Sequence, residues 1–344
     1  MEEIDQRLDR IKDLSEHYLI KARSEGYTYF DEFIEAANIL KNVVSDNEFK
    51  HWCNEKMLMK DQTFAEKTFI QYAVETSAVR FFAEKNSKNF EVEVELNPKN
   101  NKDVDLQFTD KGYTYNVEVK CSDFESKEKI DNKDGFKYGT IGRIPNRKES
   151  IESISKALNE GLKKQRKPMK DHLESKNMDN NLKDFLELAH DKFNPNSKNE
   201  EINILLVGCD DVNDIQKWYF YLFANQGLFT LNSFANKENY KNVDLVILTN
   251  QYFKHNKYFE KNIENSWTLR KGFNLVFCNP FRRLPKEQGI KEFLHTFPHF
   301  TYELSEYEVP GKAPSHVKNS AKISLLVKDH LEKEKGIYLF EDNS

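Results

Sequence analysis

The chain has 344 residues, of which 38% are hydrophobic and 32% charged, with a formal net charge of −5. That balance suits a soluble globular protein with one large or two modest cores, and it excludes a chain that needs an internal staple to stay folded. The negative net charge excludes a globally basic nucleic-acid binder, so any phosphate-binding surface must be a local concentration of Lys and Arg.

Residues 1–60 are expected as a helical lead-in, because Ile4, Leu8, Ile11 and Leu14 recur at helical spacing, as do Phe30, Phe33, Ile34, Ala37 and Leu40. A further helix is expected from Thr63 to Lys85, capped by Thr63 or Asp61 and apolar on more than one face, hence well buried. From Phe90 the period becomes two: Phe90, Val92, Val94 and Leu96 alternate with glutamates, the mark of a strand. Asn97 to Asn101 reads as a turn, Val104 to Phe108 as a second strand, Asp110-Lys111-Gly112 as a hairpin turn and Tyr113 to Cys121 as a third strand.

Ser122 to Arg147 is polar and Lys-rich, and its Gly135, Gly139 and Gly142 would let it move as a loop or flap. A helix is expected from Ser150 to Arg166, stopped by Pro168, then a polar insertion over 167–200 with a short helix near Leu182 to Leu188. The apolar runs Ile202–Val207, Val243–Leu248 and Phe273–Phe277 suit buried strands of a mixed sheet, and His316–Lys335 an amphipathic tail helix. The expected organisation is a helical region at 1–60, one α/β domain at 61–310 with insertions at 122–147 and 167–200, and a tail at 311–344.

The cysteines Cys53, Cys121, Cys209 and Cys278 are scattered without zinc-ligand spacing. The start is charged and no apolar run approaches a membrane span, so the expectation is a cytoplasmic protein with free thiols and no membrane partner. No phosphate-binding Gly-rich loop with its Lys, no Gly-x-Ser-x-Gly elbow and no His-Glu-x-x-His helix occurs.

Chemistry concentrates in the second and third strands. Side chains two apart in a strand share a face, so Glu118 and Lys120 project together while Val117 and Val119 face the other way. The hairpin sets Asp105 beside Glu118. Two carboxylates and the Val119 carbonyl then offer hard oxygen ligands for Mg²⁺ or Mn²⁺, with Asp103, two residues before Asp105 on the same face, as a second candidate. Like charges crowd in such a cluster, so removing a carboxylate is expected to stabilise the ion-free fold. An ordinary exposed strand face with alternating charges is the competing reading.

The segments KDVDLQF and YNVEVKCSD, with the turn between them, resemble the core of the PD-(D/E)XK nuclease superfamily, over about residues 63–210. The resemblance implies a restriction-endonuclease-like α/β fold, a mixed sheet flanked by helices in the order helix, three strands, helix, strand. It implies Asp105 and Glu118 as metal-binding acids and Lys120 as the catalytic lysine. The literal Pro-Asp pair is absent, Asn97-Pro98 and Lys102-Asp103 standing around its place. Many members also carry a Glu in the first helix, best matched by Glu75 as a further catalytic residue with Glu66 as its competitor, and some a Gln in the helix after the lysine strand, which matches Gln165.

What the resemblance implies for function is ion-dependent hydrolysis of DNA phosphodiesters, plausible in restriction or defence against foreign DNA, with double-stranded DNA as partner. A homodimer would cut both strands, the lead-in being its expected interface. An RNA nuclease, or a non-catalytic nucleic-acid-binding or structural protein, are the alternatives. Lys137, Arg143 and Arg147, then Lys163, Lys164, Gln165 and Arg166, are the expected nucleic-acid contacts, and Arg270, Lys271, Arg282, Arg283 and Lys286 form a third basic cluster.

Overall fold

The two-residue turn expected at Lys111-Gly112 closes a tight hairpin, with both residues at positive φ, 50° and 84°. Glycine takes that backbone without a Cβ clash, and the turn's twist matches the strands it joins. On either side run β2 (Asp103–Asp110) and β3 (Tyr113–Cys121), and β2 pairs also with β1 (Phe90–Glu95), all antiparallel. β4 (Phe136–Tyr138) and β5 (His172–Glu174) form a separate small parallel pair. β6 (Glu201–Gly208) and β7 (Leu245–Thr249) then continue the main sheet in parallel with β3, and β8 (Asn274–Cys278) closes it antiparallel to β7. The result is a mixed six-stranded sheet, β1-β2-β3-β6-β7-β8, flanked by helices.

This computed structural model describes residues 2–335 apart from 61–62, 125–126, 128, 131, 139–142, 144–145 and 175–177. Asp61, Gly139 and Gly142, named above as a cap and as flap glycines, lie outside the described residues. Contacts gather the chain into two units. One comprises Met1–Cys121, Phe185–Ile215 and Glu238–Tyr307, the other Ser122–Asp184, Gln216–Lys237 and Glu308–Ser344. These boundaries do not coincide with those expected at 60 and 310.

In the first unit the lead-in forms α1 (Glu2–Arg10), α2 (Tyr18–Glu25), α3 (Thr28–Lys41) and α4 (Asp46–His51), which runs into a π-helical turn, Trp52–Lys56. Ser45 and Glu48 make a capping box that starts α4. The long helix α5 (Glu66–Asn86) buries residues on several faces, as its sequence required, including Phe69, Val74, Ala78 and Phe82. It covers β1, β2 and β3. Phe108 stacks between Phe82 and Tyr115, with centroids 4.7 and 4.9 Å away, and Phe293 of helix Glu287–Thr296 lies 5.5 Å from Tyr115. Burying one such ring contributes on the order of 2 kcal/mol.

The opposite face of the same strands is polar, and a row of paired amides crosses it. Gln107 Nε2 donates to Asn116 Oδ1 at 2.7 Å, Asn116 Nδ2 to Asn203 Oδ1 at 2.8 Å, and Asn203 Nδ2 to the Asn242 carbonyl at 2.8 Å. A one-residue slip would strand these buried amides among apolar side chains, so the row fixes the register of β2, β3 and β6.

Two differences from the expected elements matter. The helix expected near Leu182–Leu188 runs over Asp179–Lys192 and leads directly into β6, so the stretch read as a polar insertion supplies a main connection. The helix expected from Ser150 spans Arg147–Lys164 and belongs to the second unit, where Ser155 donates to the Tyr138 hydroxyl at 3.0 Å. Among the described residues, no helix is long and apolar enough to cross a membrane.

Candidate active site

β2 stays paired with β1 as far as Asp103, but its ladder with β3 runs only from Asp110↔Tyr113 to Leu106↔Val117. The next pair in that register is Asp105 with Glu118. There Asp105 Oδ2 takes the Val119 N–H at 2.5 Å, a side chain standing where a ladder carbonyl would be. The N–H and C=O of one strand residue point to the same edge, so the Val119 carbonyl faces this notch too. It lies at the carboxyl ends of the parallel strands β3, β6 and β7, where open α/β sheets commonly place their ligands.

Glu118 is completely buried, which an exposed alternating strand face does not explain. Lys120 Nζ lies 2.5 Å and Lys192 Nζ 2.6 Å from its Oε1. Both ammonium groups converge on that oxygen, and neither Glu118 oxygen has a geometrically satisfied hydrogen bond. Burial and then the Asp105 charge push the Glu118 carboxyl above its ordinary value, against the pull of the two lysines. For Lys120, burial works against the charged form, but Glu118 and then Asp105 outweigh it and raise the ammonium pKa. Lys120 therefore stays protonated at neutral pH.

Lys192 was not foreseen. It arrives from the end of helix Asp179–Lys192, whose Asp191 carbonyl accepts from Asn97 Nδ2 at 2.7 Å and Asn100 Nδ2 at 2.6 Å. On the other side, Asn242 donates its N–H to His190 Nδ1 at 3.1 Å and its Nδ2 to the His190 carbonyl at 3.3 Å. Lys192 thus brings a side chain from a later helix to Glu118. Gln165 itself is an exposed C-cap residue of the second unit.

A second acidic group stands beside the first. Burial and then Asp105 raise the Glu75 carboxyl to about 7, against the Lys56 ammonium 2.6 Å away. Lys56, at the end of the π-helical turn, also holds Glu93 at 2.7 Å. The turn is anchored to α5 by Trp52 Nε1 donating to Thr76 Oγ1 at 3.0 Å. Glu93 has φ 53° in the middle of a strand, a backbone strain of roughly 1–2 kcal/mol that brings its side chain to this lysine. Glu66, the other helix candidate, accepts from the Tyr18 hydroxyl at 2.6 Å near the start of α5. The geometry thus joins Glu75, and not Glu66, electrostatically to Asp105 and Lys120.

The Glu75 shift has a stability consequence with a definite sign. Its folded pKa of about 7 lies above the ordinary 4.5, so the folded state holds the extra proton between those values. Stability from this group is full below about pH 4.5 and is lost as pH rises through about 7, a fall of about 2–3 kcal/mol. Glu75→Gln is expected to flatten that fall. Denaturant midpoints between pH 4 and 8 check it, and parallel curves for the two proteins would refute it.

The remaining candidates have other surroundings. Asp103 is exposed at the start of β2, opposite Glu95. Lys137, Arg143, Arg147, Lys163, Lys164 and Arg166 belong to the second unit. There Arg143 bonds Asp179 at 3.0 Å and lies 3.7 Å over the Phe234 ring, and Arg147 pairs with Glu174 at 2.9 Å, so these two arginines already serve internal contacts. Lys163, Lys164 and Arg166 are exposed. Lys286, grouped above with a basic cluster, is buried and pairs with Asp244 at 2.7 Å, a structural role.

One arrangement imitates another chemistry. Ser77 Oγ lies 3.0 Å from His255 Nε2, and His255 Nδ1 lies 2.8 Å from the Tyr29 hydroxyl, the order nucleophile, base and orienter. All three residues are fully buried, and Ser77 already donates to the Ala73 carbonyl at 2.8 Å. They clamp the core and offer no substrate access.

Among the described residues, no three His, Cys, Asp or Glu side chains stand together as a ready metal cage. The notch offers two carboxylates and a carbonyl instead. The buried Glu118 carboxylate, whose oxygens lack satisfied hydrogen bonds, and this all-oxygen donor set fit a hard divalent ion that keeps several waters. Compared with protein-family models, with curated proteins and with solved structures, the chain finds no match.

Proposed function

We propose that this chain is a divalent-ion-dependent endonuclease that hydrolyses DNA phosphodiesters, with a restriction-endonuclease-like core. The observation that carries the reading is a fully buried Glu118 near a strand end, held by two ammonium groups and electrostatically coupled to Asp105, with neither carboxylate oxygen in a satisfied hydrogen bond. A structural ion pair needs one counter-charge and satisfied oxygens, and Glu118 departs from both. The element order agrees with that core: helix, three antiparallel strands, helix, and a fourth strand parallel to the third. A role in restriction or defence against foreign DNA follows from the resemblance alone.

Asp105, Glu118 and the Val119 carbonyl would hold Mg²⁺ or Mn²⁺. The bound ion supplies a Lewis acid for the phosphoryl oxygen and lowers the pKa of a coordinated water. Lys120, kept protonated by its carboxylate neighbours, stabilises negative charge that builds on the phosphorus oxygens and orients the attacking water. Its raised pKa assigns it a cationic role and removes it as general base at neutral pH. Glu75 ionises near neutrality and, beside Asp105, is the group suited to accept a proton.

Cleavage of plasmid DNA is expected with Mg²⁺ or Mn²⁺ and not with Ca²⁺, which takes more ligands at longer distances and supports binding only. RNA is tested in parallel. Equal cutting in excess chelator would remove the basis of the assignment.

A further inference from the structure

Two ammonium groups, of Lys120 and Lys192, already converge on the Glu118 carboxylate without any added ion. Lys120 is fixed to β3, two residues from Glu118, and its place is set by the strand. Lys192 differs. The helix end that carries it is held at the Asp191 carbonyl by Asn97 and Asn100 and at the His190 carbonyl by Asn242, while its long side chain remains 18% exposed. It combines a held helix end with a flexible side chain that is not sealed from solvent.

We propose that Lys192 is a displaceable internal counter-ion: it competes with the divalent cation for Glu118 and moves to a phosphate oxygen of the bound strand, coupling cation and phosphodiester binding. This rests on the reading of the site as an ion-dependent nuclease. The reason is electrostatic. A divalent ion approaching Glu118 meets two ammonium groups at short range, and its binding is weak until one of them departs. An anionic phosphate gives the departing ammonium a new partner and lowers the excess positive charge. Each ligand therefore raises the other's affinity, and linkage requires the two factors to be equal.

The test measures binding on the full chain. Mn²⁺ affinity is read from the signal of the free ion, with and without a short DNA duplex, and duplex affinity is read with and without Ca²⁺. Lys192→Met keeps the apolar stem, and Lys192→Gln serves as a second variant that keeps a polar tip. Both are expected to bind Mn²⁺ without DNA about ten-fold more tightly than the parent. They should bind duplex more weakly and lose most of the reciprocal enhancement that the parent shows.

If a folded variant, judged by its melting curve, binds Mn²⁺ no more tightly than the parent, the proposal is overturned. Should the parent cut DNA and bind Mn²⁺ in a way that Glu118→Gln abolishes, that result leaves the nuclease reading standing. Absence of any Glu118-dependent Mn²⁺ binding in parent and variants alike would overturn both.

Discussion

Lys120→Ala is expected to lower ion-dependent DNA cleavage by at least about 10³-fold while the protein remains folded. The lysine shares a strand face with Glu118, lies 2.5 Å from its carboxylate, and is held charged by Glu118 and Asp105. A fixed cation at that point acts on charge that develops only during reaction, so its loss falls on kcat more than on DNA affinity. Folding should suffer little, a loss of about 1 kcal/mol, because the side chain is partly exposed and Lys192 still neutralises Glu118. A solvated strand lysine makes the opposite forecast: replacement within about ±0.5 kcal/mol and unchanged activity. Melting temperature, duplex affinity and single-turnover cleavage separate the two, and a Lys120→Ala protein that cuts as well as the parent places the chemistry elsewhere.

Glu118→Ala should abolish cleavage and also destabilise the ion-free protein by about 2–3 kcal/mol. Sequence reasoning pointed the other way, because Asp105 and Glu118 together look like crowded like charges. Lys192 reverses the sign. Without Glu118, two ammonium groups that converge on one oxygen lose their shared counter-charge, and a fully buried side chain leaves a void. Their partial exposure, 25% and 18%, lets both lysines turn toward water, which keeps the loss below that for a wholly buried pair. Urea unfolding in chelator measures it. A Glu118→Ala protein as stable as the parent would mean that the lysines do not depend on this carboxylate.

The sequence by itself determined the features that depend on neighbours in the chain. Alternation from Phe90 and the Lys111-Gly112 turn specify the hairpinned strands, because a period of two and a positive-φ turn act within a few residues. The same local rule puts Glu118 and Lys120 on one face. The apolar runs at Ile202, Val243 and Phe273 marked the remaining strands of the main sheet, since strands covered on both faces need no alternation.

Tertiary structure decided what no local period carries. Whether Glu66 or Glu75 belongs to the cluster was settled by partners from the lead-in, Tyr18 for one and Lys56 for the other. Asp105 reaches the Val119 N–H only because the β2–β3 ladder stops at Leu106, and a pairing pattern does not state where it ends. Lys192 sits in a stretch whose polarity suggests a surface insertion. Its charge meets Glu118 because side-chain amides from Asn97, Asn100 and Asn242 grip the end of its helix, and such long-range bonds exist only once the sheet has assembled.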